Sequence, residues 1–166
     1  MTARPIVLFP DPRLRQPCAP IAAFDAELRA LADDLVASMR AAKGVGITGP
    51  HVGVLRRITV IDLGEGPVTY VNPTILEASA ESARFEEGSI SMPGAQETLS
   101  RPARVVVGYQ DLAGETHRLT AEGFLACCLQ HEIDQLDGIF WLERLSRLKR
   151  DRLVKRYEKM ARRALP

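Results

Sequence analysis

The stretch Gln130-His131-Glu132-Ile133-Asp134-Gln135-Leu136-Asp137-Gly138 begins like a metal-hydrolase helix and then departs from it. In the H-E-x-x-H pattern, two imidazoles one helical turn apart hold a metal, and the glutamate between them moves protons. His131 and Glu132 supply the first two parts, but Gln135 stands where the second histidine belongs. Glutamine gives only a neutral amide oxygen, suited to hard cations with many oxygen ligands. Phe124, Cys127, Cys128, His131 and Gln135 share one stripe of this helix through i, i+3 and i+4 steps. A lone histidine on an apolar face is more often a satisfied core residue than a ligand. The nine-residue frame around His131 instead favours a helix shaped for catalysis.

The elements that must position this helix are legible in outline. Phe24 to Ala42 reads as a helix, with Asp25 as N-cap and Leu28, Leu31, Leu35 and Met39 at helical spacing. Residues 56–62 and 67–73 are β-branched runs bounded by Gly and Pro, hence strands around a turn. Two further runs flank Leu112-Ala113-Gly114 and predict a hairpin. The chemistry-bearing helix spans about Ala121 to Asp137, with Gly138 as its stop. Ser146 caps a last helix that runs to about Ala164. Strands in hairpin order between helices predict an α+β fold.

At 166 residues the chain reads as one domain, 1–166, without repeat or linker. Its 22 Lys+Arg against 21 Asp+Glu give no whole-molecule pull towards a polyanion. The start lacks the apolar core of a secretory signal, and no run of about twenty apolar residues suggests a membrane span. Cys18, Cys127 and Cys128 contain no C-x-x-C pair. A soluble, reducing, cytoplasmic setting is the expectation.

Three motifs in order now carry a resemblance. Residues 130–138 resemble the Q-H-E-x-D-H-L-x-G motif of peptide deformylases, matching everywhere except Gln135. Glu86-Glu87-Gly88-Ser89-Ile90-Ser91 resembles that family's E-G-C-L-S segment, with Ser89 in place of the cysteine and Ile90 in place of leucine. Residues 44–53 resemble G-φ-G-φ-A-A-x-Q, keeping Gly44 and Gly46. Thr48 and Gly49 replace the alanines, and His51 replaces the glutamine. The opening FPDPRLRQPCAPI is also similar to the family's start, so the likeness spans nearly the whole chain.

The resemblance implies a deformylase-like fold, with antiparallel or mixed sheets around the central H-E-x-x-H-type helix and a helix towards each terminus. It also implies a divalent metal, often ferrous iron, that activates water against the N-formyl group of nascent chains. Carried over by position, the ligands would be Ser89, His131 and Gln135. Glu132 would be the acid/base, with oxyanion contacts from His51 and the Ile90 N–H. Gly46 would allow close peptide approach, and Val45, Cys127 and Cys128 would wall the methionine pocket or simply pack as core.

Two of the three ligand positions are thus altered. A metal-bound cysteine is an anionic soft thiolate, whereas serine offers at best a weak neutral oxygen. Changes outside the ligand shell alone typically cost about 10–100-fold in affinity, so changes within it cost more. Without a metal, water keeps a pKa of about 15.7 instead of one near ~7. The expectation is little or no ordinary deformylase turnover, no bound cofactor, and a polar network joining His51, Gln135 and Ser89. The rival is iron or zinc held by His131 with His51, Ser89, Gln135 or Glu132. A Ser89 nucleophile with His131 as its base is the weakest alternative.

The last helix carries nine Lys/Arg against Asp151 and Glu158, with Leu148, Leu153, Val154, Tyr157, Met160 and Ala164 as its apolar stripe. Such faces are usually just solvated. For a family acting on nascent chains, ribosomal RNA is a sensible partner. His117 is expected to be merely exposed.

Overall fold

The computed structural model describes residues 1–165. Its elements are α1 (Ala26–Ala41), β1 (Gly46–Thr48), β2 (Ile58–Ile61), β3 (Val68–Ala78), β4 (Ser82–Gly88), β5 (Gln96–Pro102), β6 (Arg104–Gln110), β7 (Thr116–Glu122), α2 (Gly123–Leu136) and α3 (Arg147–Arg163). The strands form a five-stranded sheet, ordered β1-β2-β3-β6-β7, and a separate ribbon of β4 and β5, all antiparallel. The α+β architecture expected from strand order is therefore present.

Each helix starts where its capping chemistry allows. The Asp25 carboxylate accepts from Leu28 N–H at 3.0 Å, satisfying one orphan donor of α1. The helix then lays Leu28, Leu31, Leu35 and Met39 against Ile47, Ile58 and Val60 of β1 and β2. Ser146 accepts from Lys149 N–H to start α3. Only Leu153 of α3 is fully buried, while Val154 and Tyr157 pack beside Phe9, Phe140 and Trp141. Leu148 and Ala164 lie outside the expected apolar stripe, Leu148 being 61% exposed, because the helix touches the body only along its middle.

α2 is the hub, with β1, β2, β3, β6 and β7 on one side and the β4–β5 ribbon on another. Every residue from Ala126 to Leu136 is buried. Its sheet-facing side, Ala126, Cys128, Leu129 and Ile133, packs with Ile61, Tyr70, Val105, Val107 and Ala121. Its other polar side chains therefore need partners within the fold. No helix of the described residues is long and apolar enough to cross a membrane.

Candidate active site

A cleft of about 560 Å³ opens between the turn leading into β1 and the end of β4, with α2 as its floor. Ala42 to Gly46 form one wall, Glu86, Gly88, Ser89, Ile90 and residues 93–96 the other, and Phe124, His131 and Glu132 the base. His51 closes one side, and Ile6 and Leu8 of the N-terminal arm another. The glycines follow from this geometry. A Cβ on Gly44 would lie 2.6 Å from Ile90 Cγ2, and one on Gly46 would collide with the Glu132 carboxylate.

His131 is fixed from behind. Its Nδ1 lies 2.8 Å from Glu87 Oε1. Arg101 of β5 grips Glu87 through Nε–Oε2 at 2.7 Å and Nη2–Oε1 at 2.9 Å. Arg101 also donates to Asp134 at 2.9 Å, and Arg144 closes Asp134 with two bonds of 2.9 and 2.7 Å. Burial works to raise the Glu87 pKa, but hydrogen bonds from His131 and Arg101, with the Arg101 charge, hold it at about 2. An ionised carboxylate only accepts, so His131 Nδ1 carries the proton shared with Glu87.

His51 is held with its proton on the opposite nitrogen. Thr48 N–H donates to His51 Nδ1 at 2.9 Å, and the Thr48 hydroxyl stands 3.0 Å from the same nitrogen. Nδ1 is thus an acceptor, which places the proton on Nε2. That Nε2–H is buried without a partner. Burial, helped by repulsion from His131, lowers the His51 pKa to about 3, so the ring is neutral at ordinary pH.

Glu132 Oε2 is the second unpartnered buried atom in the cleft. Burial raises its pKa to about 7; the Glu87 charge adds to the rise, and His131 and Arg101 oppose it. Ser89 Oγ accepts from Ser91 N–H at 3.1 Å. Among the described residues the Ile90 N–H has no backbone partner, and it follows directly on Ser89.

The structure places Gln135, Cys127 and Cys128 away from the cleft. Gln135 is 2% exposed and donates from Nε2 to the Leu14 carbonyl at 2.7 Å, tying α2 to the N-terminal turn Pro12–Arg15. His51, Ser89 and Gln135 do not bond to one another. Each has a nearer backbone partner, so the network expected to join them is three separate ties. Cys127 and Cys128 do not line the cleft. The Cys127 thiol points to Glu87 Oε2 at 3.5 Å, and burial first, then Glu87, push its pKa up to about 12. Cys128 packs into the sheet core. Val45 does line the cleft, facing solvent beside Gly46, and Phe124 supplies apolar wall that sequence reading noted only as part of the helix stripe. Sequence reading gave no role to Glu87, Arg101, Asp134 or Arg144. Glu87 and Asp134 stood inside the quoted motifs and could have been singled out as buried partners for His131 and an arginine. His117 is exposed as expected; it also bonds Asp111 at 2.7 Å and stacks on Tyr109.

The polypeptide deformylase family model matches residues 3–151. The chain belongs to that family. Two deformylase-family relatives from Rhizobium meliloti differ in their likeness to it. One, a "Peptide deformylase-like" protein, is 56% identical over 98% of this chain and 95% of its own. The other, a "Peptide deformylase", is 40% identical over 97% and 95%. The crystal structure of a peptide deformylase from Legionella pneumophila superposes with a TM-score of 0.92 at 38% identity, covering 99% of this chain and 100% of that one.

Deformylases use a divalent metal, and the side chains that could meet one here are His131, His51, Ser89 and Gln135. For His51 Nε2 to bind a metal it would have to lose its proton. Nδ1 would then carry one and meet the Thr48 N–H donor at 2.9 Å, donor against donor. The Gln135 amide is committed to Leu14, and Ser89 brings only a neutral hydroxyl. Among the described residues no three His, Cys, Asp or Glu side chains are grouped as a ligand set.

Proposed function

We propose that the protein is a deformylase-family peptide binder that holds the N-terminal methionyl or N-formylmethionyl segment of nascent chains without the family's metal-dependent hydrolysis. The carrying observation is the His51 ring. Its Nδ1 takes the Thr48 N–H, so its buried Nε2–H faces the cleft as a donor for a carbonyl oxygen. A metal site needs a lone pair there; a peptide carbonyl needs a proton. The Ile90 N–H offers a second donor, and Val45, Ile90 and Phe124 offer apolar contact for a methionine side chain. Without metal activation, water keeps a pKa of about 15.7, too weak a nucleophile for Glu132 to rescue. This reading keeps the cytoplasmic setting in which nascent chains are met.

The test is calorimetric titration with a formyl-Met tripeptide in excess chelator, with formate measured in parallel. Saturable binding that the chelator leaves unchanged, reduced by His51→Phe, is the expected result. Formate release that chelator removes and Glu132→Ala abolishes would overturn it.

A second surface belongs to this reading. α3 carries nine Lys/Arg, and among the described residues most find no acid: Lys149 meets Glu97 at 3.3 Å and Arg147 meets Asp151 at 3.8 Å. Its basic face suits ribosomal RNA. Co-sedimentation with ribosomes should then weaken steeply with salt and disappear when α3 is charge-reversed.

A further inference from the structure

We propose that the hollow between the β4–β5 ribbon and the start of α3 binds a terminal phosphate group, at a site separate from the peptide cleft. The proposal goes beyond the peptide-binding reading and does not rest on it.

The hollow encloses about 440 Å³. Small-ligand sites run from about 300 to 1,000 Å³, so there is room for a phosphate and the group that carries it. Its polar lining is Arg84, Arg144 and Lys149 with the hydroxyls of Thr98, Ser100 and Ser146, and no carboxylate lines it. Three segments supply these groups. In the β4–β5 ribbon Arg84 stands opposite Ser100, and Glu86 opposite Thr98. Strand alternation therefore puts Arg84, Ser100 and Thr98 on one face. Glu86 shares that face but lines the peptide cleft instead. Arg144 ends the short turn before α3, Ser146 caps the helix, and Lys149 lies in its first turn.

The charge here is not cancelled. Arg144 is tied to Asp134, Asp134 also meets Arg101, Arg101 grips Glu87, and Lys149 lies 3.3 Å from Glu97. Four cations, Arg84, Arg101, Arg144 and Lys149, thus face three carboxylates, Glu87, Asp134 and Glu97. Arg84 is the cation left over; it is exposed and forms no ion pair among the described residues. Asp134 and Glu97 lie outside the lining and hold their cations in place, which lowers the ordering cost of binding. Arg144 donates to Asp134 from Nε and Nη2, so its Nη1 group keeps its protons for a ligand.

These donors select the class of anion. A carboxylate offers two acceptor oxygens, whereas a terminal phosphate offers three around a tetrahedral centre and carries roughly two charges. Two guanidinium groups, an ammonium and three hydroxyls around one hollow match the phosphate.

Titration calorimetry of the full chain with inorganic phosphate, at constant ionic strength, reads this. One equivalent should bind saturably, and acetate should not compete. Arg84→Gln should weaken binding about tenfold or more, and Lys149→Gln should weaken it as well. Arg29→Gln removes an exposed cation from α1 instead and should leave binding unchanged. Arg84 is exposed, so its variant should keep the parent's thermal midpoint by circular dichroism. AMP displacing phosphate would assign an organic phosphate as ligand, and AMP failing to displace it would assign the free ion. No saturable binding of phosphate, equal competition by acetate, or equal weakening in Arg29→Gln and Arg84→Gln overturns the proposal. So does equal displacement by a short RNA lacking a terminal phosphate, because the hollow would then be only part of the basic surface of α3. Formyl-peptide affinity should be the same in every variant, so failure here leaves the peptide-binding reading standing.

Discussion

Replacing Gln135 by leucine separates a structural tie from a disused metal ligand. Gln135 is buried, and its amide donates to the Leu14 carbonyl at 2.7 Å, where Leu14 itself is 1% exposed. Leucine has nearly the same shape and no donor, so the Leu14 carbonyl loses this bond. An unsatisfied buried group costs about 1–3 kcal/mol, and the apolar side chain returns part of it, leaving a net loss of roughly 1–2 kcal/mol. For a chain of this size that lowers the thermal midpoint by roughly 3–6 °C. Thermal unfolding of both proteins by circular dichroism, with chelator and with added zinc, is the assay. The difference should be the same in all conditions, and formyl-peptide affinity should not change. A wild-type midpoint that zinc raises and chelator lowers, with no response in Gln135→Leu, would refute the reasoning, because Gln135 would then be acting as a ligand.

Other expectations follow from the same contacts. In Gly46→Ala the new Cβ would stand 3.1 Å from Glu132 Cδ and closer still to its carboxylate oxygen. The displaced side chain should weaken formyl-peptide binding at least about tenfold while the fold persists, as calorimetry and circular dichroism would show. Glu87 has a folded pKa of about 2 against an ordinary 4.5. Its contribution is therefore complete above pH 4.5 and lost as pH falls towards 2, worth about 3 kcal/mol at most. Acid unfolding should steepen in that window, and Glu87→Gln should remove the dependence. The double change Ser89→Cys with Gln135→His restores a thiolate and an imidazole at the family ligand positions. It should take up one equivalent of zinc or iron that the parent does not, and failure to do so would mean the cleft no longer has a ligand geometry.

Much of the fold was readable because its signals are local. Asp25 before a Leu28-Leu31-Leu35-Met39 stripe marks α1 within one turn, and the 112–114 turn marks the β6–β7 hairpin. The β4–β5 ribbon was read only as a motif. Both strands are half-exposed, and Glu86 and Glu87 put charge on both faces of β4, so it lacks the apolar face that announces a buried strand. β3 runs on to Ala78, past Pro73, where its pairing to β6 is irregular. In the site, spacing alone marked His131 and Glu132. The tautomer of His51 was not readable, since it depends on where Thr48 N–H points. Nor was the partner of Gln135, which lies 121 residues away. The stripe logic placed Cys127 and Cys128 beside His131 along α2. A helix buried on nearly all sides has several such faces, and theirs look to Glu87 and the sheet.

The central claim is that the cleft works without a metal. Its most direct test is the metal content of freshly, anaerobically purified protein, read beside formate release from a formyl-Met peptide. The rewired donors predict far less than one equivalent of iron or zinc and no formate release that a chelator can remove. One equivalent of tightly held metal, with formate release lost in Glu132→Ala, would contradict the account.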